Sequence, residues 1–569
     1  MEAGDASQAL AGNVASSGNY VNYNDPNIEF ENYHYWANQT RAYERTIETQ
    51  GKGLSAIFQF AGTKKQGSER VQAPTTSGGD GNPNGKLNET PLDGSQYGIT
   101  ETELSNAQRA VRTATWGSVF YLITTDILGP YNVPWAISQM GYGPGFALYT
   151  VFGGLAAYSG IQLWQIFIGL DSARYPLRNY GDLAFRVCGQ WARYITNILQ
   201  SFQFFMNIAL IIVSNAQSLA QMAVGRDGNV VVAQTVVTIA SCLLGQIRTL
   251  QRLSWVSNFA VWLNVFVMIM TMIVTHKYPP NYAAAEIANN VQPGPIVTSA
   301  NWPAGLELRN YINGLMNCVF AYGGATLFNE FMAEMRRPMD FWKALICAET
   351  FIYCCYLIMG MVVYSTQGQF TYPLAYQGIP STAYAWQTVG NALSLVSVMT
   401  AGVLYGNIGI KIIYASIFRD IFKFPPLDHK KGKIIWIALT PVYWSLAFVL
   451  AAAIPQIANL TAFIGAACIL QFSYTFPPLL KVLYNIQKDA MLPEETFDPN
   501  TGQTQRVDSG IKRWVRGYTK KLFWNTFDLL YGLAALGTAG LGIWASSTSM
   551  REQFRTSKIT PFTCQNPAG

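Results

Sequence analysis

Charge is scarce in this chain. Only 12% of its 569 residues are Asp, Glu, Lys or Arg, about half the ~25% of an ordinary soluble domain. That composition excludes a water-exposed enzyme or a basic nucleic-acid binder. Histidine is scarcer still. The three, His34, His276 and His429, fall outside the long apolar runs, so the usual near-neutral proton carrier is expected to be missing from the interior. The eight cysteines show neither CxxC nor the His-partner spacing of a zinc or redox site. Cys242, Cys318, Cys347, Cys354, Cys355 and Cys468 lie inside apolar runs and read as compact packing residues; Cys564 alone would face the far side, so no disulfide framework follows. Residues 1–112 contain no short apolar core beside a cleavage site, hence no secretory signal, and the first long apolar run is expected to direct insertion.

Apolar sequence is abundant: 50% hydrophobic and 14% aromatic residues. Runs of about 20 residues, each long enough to cross roughly 30 Å of hydrocarbon, recur along the chain. Eleven spans are expected, at 113–140, 144–170, 190–223, 230–247, 253–275, 308–334, 340–365, 386–418, 433–454, 457–486 and 524–546. The fold class is therefore an all-α polytopic membrane protein. Lys and Arg set the orientation. Alternate loops at 171–193, 248–252, 335–343, 415–435 and 481–523 hold 22 basic residues, against six on the opposite side (Arg226, Lys277, Arg309, Arg551, Arg555 and Lys558). This bias places the N-terminus in the cytoplasm and residues 548–569 outside it, and accounts for the net charge of +6 without nucleic acid.

The expected cytoplasmic tail, 1–112, begins with an aromatic stretch, "NYVNYNDPNIEFENYHYW", followed by a helix-like piece, "ANQTRAYERTIETQ", and a linker through "SGGDGNPNGKLNET". The linker's composition buries too little to fold. Two readings stand: a largely disordered tail whose Lys64 and Lys65 meet ubiquitin or other regulatory machinery, or an aromatic stretch docked under the membrane domain. Asn38 and Asn88 match the glycosylation pattern, which a cytoplasmic tail would leave unused.

Two spans are interrupted. The first contains "TDILGPYNVP", residues 125–134, with Gly129, Pro130 and Pro134; the sixth reads "NGLMNCVFAYGGATLFNEFMAEM", with Gly323 and Gly324 near its centre. Proline lacks an amide hydrogen and clashes with the preceding turn. Broken helix at membrane depth is tolerated only where it is buried in protein or lines a cavity. Five spans separate one break from the next, so spans one to five and six to ten would run in opposite senses. Matching breaks in two halves of an inverted repeat point to a substrate site.

Few ionisable groups lie within spans: Asp126, Glu330, Glu334, Glu349 and Lys411. Each costs at least about 2.5 kcal/mol at the bilayer centre unless it faces a cavity or partner. Asp126 precedes the first break and Glu330 follows the second, so either one suits proton coupling or bracing of unwound backbone. Glu334 beside Arg336 and Arg337 reads as a solvated or gate-forming charge, Glu349 as an interhelical polar contact or a functional group, and Lys411 as snorkelling or standing in for a cation. Ser394, Ser397 and Thr400 are hydroxyls that could complete a cation site, with Ser397 and Thr400 on similar helix faces. At a break, half-helix N-termini suit a carboxylate, while C-termini and unwound carbonyls suit an ammonium or cation. An amino acid offers both charges. Tyr131, Phe320 and Tyr322 could shape a side-chain pocket, and Gly323 and Gly324 would permit close approach.

The segments "DILGPYNVPWAISQMGYGPG", "FAYGGATLFNEFMAEMRRPMDFWKAL" and "GVLYGNIGIKIIY" resemble the amino acid/auxin permease family, specifically its fungal neutral amino acid permease branch, over about 110–547. The resemblance implies eleven helices with the five-plus-five inverted repeat of the amino acid, polyamine and organocation superfamily, helices one and six broken. It further implies secondary active uptake, in fungi usually proton-driven, without a cofactor. Carried over by position, Asp126, Gly129, Pro130, Tyr131 and Asn132, with Phe320, Tyr322, Gly323, Gly324 and Ala325, would line the substrate site. Ser397 and Thr400 correspond loosely to the cation region of sodium-coupled relatives. The expectation is a plasma-membrane symporter of neutral amino acids coupled to protons at Asp126 or Glu330. A sensor of the same fold and a sodium-coupled transporter are the alternatives. No convergent His, Cys or carboxylate constellation suggests an enzyme.

Overall fold

A computed structural model describes residues 25–46, 112, 114–223, 229–246, 250–419, 422, 424, 430–499, 503–556 and 561–562. Lys64, Lys65, Asn88, His429, Cys564 and the Gly-rich linker lie outside the described residues.

In chain order the helices are α1 (Phe30–Thr46), α2 (Trp116–Ile127), α3 (Val133–Met140), α4 (Tyr142–Leu170), α5 (Tyr180–Cys188), α6 (Gln190–Met222) and α7 (Val230–Leu244). They continue with α8 (Leu250–Lys277), α9 (Tyr282–Asn289), α10 (Leu308–Ala321), α11 (Phe328–Glu334), α12 (Phe341–Gln367) and α13 (Tyr384–Ile413). The last are α14 (Lys430–Ala453), α15 (Ile457–Ile464), α16 (Phe476–Asp489), α17 (Ile511–Thr519) and α18 (Leu522–Thr556). One short antiparallel ribbon, β1 (Thr496–Phe497) with β2 (Thr504–Gln505), sets Thr496 opposite Gln505.

The protein is thus an all-α polytopic membrane protein. Among the described residues, eight helical segments are long and apolar enough to cross a membrane; Val230–Leu244 is a shorter apolar helix. The first and sixth expected spans are each split into two short helices, α2/α3 and α10/α11. The segment Ile457–Asp489 is the most deeply enclosed and contains two π turns, Gly465–Ile469 and Gln471–Thr475, the distortion by which a helix bends around neighbours at functional sites.

Several boundaries move. The final helix runs ten residues past 546 to Thr556, held by Asn313 donating to Ser549 Oγ at 2.7 Å and Asn459 donating to Gln553 at 2.7 Å. Helix α8 reaches Lys277, so His276 lies in its last turn, exposed, rather than beyond it. Cys318, Cys355 and Cys468 are buried as expected, but Cys354 is exposed on α12.

Helix α1 starts inside the aromatic stretch, seven residues earlier than the helix-like piece suggested, and docks on the bundle. Tyr33 is buried beneath the Arg186 guanidinium, 4.5 Å from its ring centroid, and Arg174 covers Trp36 at 4.7 Å. Arg41 and Arg112 converge on the fully buried Asp171, just after α4, at 2.9 and 2.8 Å. Burial alone would raise the Asp171 carboxyl, but the two guanidiniums and the Leu177 amide hold it below the usual carboxylate range. Burial likewise lowers His34, whose Nδ1 donates to the Gly169 carbonyl at 3.2 Å and therefore carries the proton. From the other side Arg506 and Arg513 grip Glu31.

Candidate functional site

Helix α2 is capped by Thr115, whose hydroxyl accepts from the Ser118 amide, and ends at Ile127 because Pro130 cannot continue the ladder. Leu128 is extended, Gly129 leaves both the helical and the extended regions, a 3-10 turn covers Pro130–Asn132, and α3 begins at Val133. The second interruption has the same plan with different residues. Helix α10 stops at Ala321, Tyr322 to Gly324 turn, Ala325–Leu327 form a 3-10 turn, and α11 begins at Phe328.

The breaks meet. A Cβ on Gly324 would stand 2.4 Å from Ile127 side-chain carbons and 3.3 Å from Asp126 Oδ2, so only glycine admits this approach. The Tyr356 hydroxyl, from α12, lies 2.5 Å from the Ile127 carbonyl and 2.7 Å from the Ala321 carbonyl, sharing its one proton between the last turns of both first halves. It also accepts weakly from the Gly129 amide, at 3.4 Å. Asn264 donates to the Leu128 carbonyl at 3.1 Å while its own Oδ1 accepts from Tyr131, at 3.1 Å. These contacts answer the backbone problem that lipid could not.

The bundle places the expected residues unequally. Asp126 is half-buried and accepts from the Tyr405 hydroxyl at 2.7 Å. Pro130, Tyr131 and Asn132 are buried, and Asn132 donates to Asn317 at 3.2 Å. Tyr322 is buried with its hydroxyl on the Tyr149 carbonyl, Ala325 and Gly324 are buried, and Phe320 and Gly323 keep partial exposure. Gly129 is exposed, and a Cβ there would meet nothing nearer than 3.9 Å. Open space therefore adjoins the first break at Gly129. A loop from α12 to α13 covers Tyr131: the Ala375 amide donates to its carbonyl at 2.9 Å, and the Tyr376 ring lies edge-on 4.9 Å away.

Glu330 is not joined to Asp126. Its Oε1 accepts from Gln200 Nε2 at 2.9 Å, and the same amide reaches the Thr326 carbonyl, while Thr326 donates to Gln203. The neighbouring Asn329 is fully buried with no side-chain partner among the described residues. Glu349 is buried, and among the described residues neither of its oxygens accepts a hydrogen bond, so it makes no hydrogen-bonded interhelical contact there. Lys411 acts electrostatically on Glu334. Ser397 is buried, but the Thr400 hydroxyl donates to Val396 of its own helix. Neither hydroxyl bonds to a break among the described residues. At the ends of the two segments, a parallel bridge pairs Ala114 with Met335, the Ala114 amide donating to the Glu334 carbonyl at 3.1 Å.

Tyr356, Tyr405, Asn264, Gln200 and Gln203 were not expected at the site. A signal existed for the glutamines: Gln200, Gln203 and Asn207 follow one another at helical spacing in an apolar span, and amides on one face of a membrane helix mark a contact or a cavity. Nothing in "FIYCCYLIMG" separates Tyr356 from an ordinary aromatic.

The family described as "Transmembrane amino acid transporter protein" matches residues 112–497. A "Transmembrane transporter" of Gibberella moniliformis is 23% identical over 65% of this chain and 75% of its own length. One of the same description from Fusarium pseudograminearum is 22% identical over 75% and 84%. An "N amino acid transport system protein" of Neurospora crassa is 22% identical over 79% and 87%.

Proposed function

Because the chain belongs to the transmembrane amino acid transporter family, we propose that it is a secondary active transporter that carries neutral amino acids in symport with protons. The observation that supports this most is the meeting of two interrupted helices beside open space at Gly129. In this reading the free amides opening the second half-helices, around Tyr131–Asn132 and Ala325–Thr326, receive the substrate carboxylate. The Ile127 and Ala321 carbonyls each retain a lone pair beside Tyr356, and these receive the ammonium. Phe320 and Tyr322 bound the side-chain space.

Coupling falls to Asp126 or Glu330. A proton gained at Asp126 alters its bond with Tyr405 next to Gly324, so both breaks feel it. A proton at Glu330 alters the Gln200 bridge that reaches Thr326 at the start of the second half. We further assign eleven crossings in a five-plus-five inverted repeat, a cytoplasmic N-terminus and the plasma membrane. One repeat bundle rocks against the rest around the breaks.

Uptake of a labelled neutral amino acid mixture by proteoliposomes, under imposed proton and sodium gradients in turn, tests the proposal. Accumulation is expected to follow the proton gradient and to lose its pH dependence in Glu330→Gln. Sodium-driven accumulation would replace the coupling ion. Folded, inserted protein that moves no amino acid under any gradient overturns transport in favour of a sensor.

A further inference from the structure

A groove of about 480 Å³ opens where α1, α16 and α17 meet the first turn of α6. Its lining mixes apolar residues, Trp191, Trp514, Leu483 and Ile486, with polar ones, Arg506, Ser509 and the carboxylate of Glu31 that Arg506 neutralises. Helix α17 is two-faced. Inward, Arg513 is 9% exposed and pairs with Glu31 and Glu495, and a Cβ on Gly517 would strike the Ile486 carbonyl, so the helix is pressed onto α16 in one orientation. Outward, Ile511, Trp514 and Val515 at i, i+3 and i+4 are 82%, 48% and 53% exposed. In water such a stripe would be a liability.

The stripe continues into membrane-facing surface on both sides. Trp191 opens α6, and the next turns of that span present exposed Ile195 and Ile198; Leu522, Phe523 and Trp524 open α18, also a span, and are all exposed. Tryptophans at the ends of spans sit at the headgroup level, and a short helix with one apolar and one basic face lies in that layer. Lys512 on α17 and Lys520 just past its end are exposed. Glu31 takes Nε and Nη2 of Arg506, leaving Nη1 for another acceptor.

We propose that this groove binds a phospholipid, with α17 lying flat in the headgroup layer. An acyl chain passes between Trp191 and Trp514, and the phosphate faces Arg506 and Ser509. The lipid would touch Phe30 and Glu31 of α1, tying the docking of that helix to the bilayer. The inference requires a membrane protein but not amino acid symport, so it stands or falls apart from the uptake experiment.

Native mass spectrometry of the full chain, released from micelles after addition of phosphatidylcholine or phosphatidylserine, tests the site. Unfolding temperature serves as the folding control. Trp191→Ala/Trp514→Ala should lose about one tightly held phospholipid relative to the parent chain; the two lipids separate a phosphate site from one that prefers a net anionic headgroup. In vesicles, the fluorescence lost between the parent and Trp514→Phe should be quenched by brominated acyl chains and shielded from aqueous acrylamide. Unchanged lipid stoichiometry together with quenching by acrylamide alone would overturn the proposal and assign the stripe to a protein partner.

Discussion

The two helix interruptions reach the same outline by opposite means. The first is driven by Pro130, its glycine faces open space, and its carbonyls are capped by side chains from α8 and α12. The second has no proline, and both glycines are there because neighbours press on them: a Cβ at Gly323 would stand 2.7 Å from Ile469, and one at Gly324 2.4 Å from Ile127. One break is therefore uncovered at its glycine, while the other is the packed surface against which it bears. In the proposed function the first is the binding face and the second the bearing face.

The largest expected effect comes from the anchor they share. Arg112 precedes the first broken segment and Ala114 bridges to the end of the second, so Asp171 restrains both from one side. Asp171→Asn takes the buried counter-charge from Arg112 and leaves Arg41 with Glu44 alone, a loss of roughly 3–5 kcal/mol for a broken buried pair. Unfolding temperature should fall, and hydrogen exchange should rise across 30–46. The pH behaviour has a definite sign. The native Asp171 value is depressed, so its stabilisation is complete above the ordinary carboxylate value of about 3.9 and is lost only as pH falls through the lower native value. The variant should lack this acid-side loss. Equal damage to both breaks would confirm a common anchor; damage confined to one would separate them.

Gly324→Ala comes next. Overpacking of a close contact costs about 1–3 kcal/mol, so initial uptake should drop about tenfold with a lower unfolding temperature. Full tolerance would mean that Ile127 yields easily and that the second break is not a bearing surface. Tyr356→Phe should cost a comparable amount: the ring still packs, but the hydroxyl shared by two carbonyls is removed, and an orphaned buried acceptor costs about 1–3 kcal/mol. A several-fold fall in uptake would show that both breaks are held from α12. An unchanged rate would show that water replaces the hydroxyl.

Much of this was legible from residue type alone. Gly129, Pro130, Gly323 and Gly324 announce interruptions because proline and glycine act on the local backbone, whatever surrounds them. Apolar run length located the helices for the same reason. The partners were not legible: Tyr356, Tyr405 and Asn264 reach the breaks from as far as 279 residues along the chain, and only packing selects them from the other tyrosines and asparagines. Thr400 shows a related limit of residue type: helical spacing put it beside Ser397, and only the packing shows that its hydroxyl gives its proton to the Val396 carbonyl on the preceding turn. The aromatic tail stretch held two readings open because aromatic residues can stay solvated or dock, and what docks it, Arg186, Arg174 and Asp171, lies more than a hundred residues downstream.

The smallest stability effect is expected at Gly129→Ala, and it separates the two breaks most cleanly. The backbone there, at φ −131° and ψ 67°, does not require a positive φ, and the nearest atom to an added methyl is 3.9 Å away. Unfolding temperature should therefore stay within about 1 °C of the parent, a shift well below the ~2–4 °C per kcal/mol of a domain of 150–250 residues. The same methyl occupies space proposed for the substrate, so half-saturation should move several-fold to higher concentration while the maximal rate changes less. Gly324→Ala predicts the reverse pattern, a loss of stability and rate through packing. Should Gly129→Ala leave saturation unmoved, the space at the first break is solvent rather than substrate, and the binding face must be sought nearer Phe320 and Gly323, which also keep partial exposure.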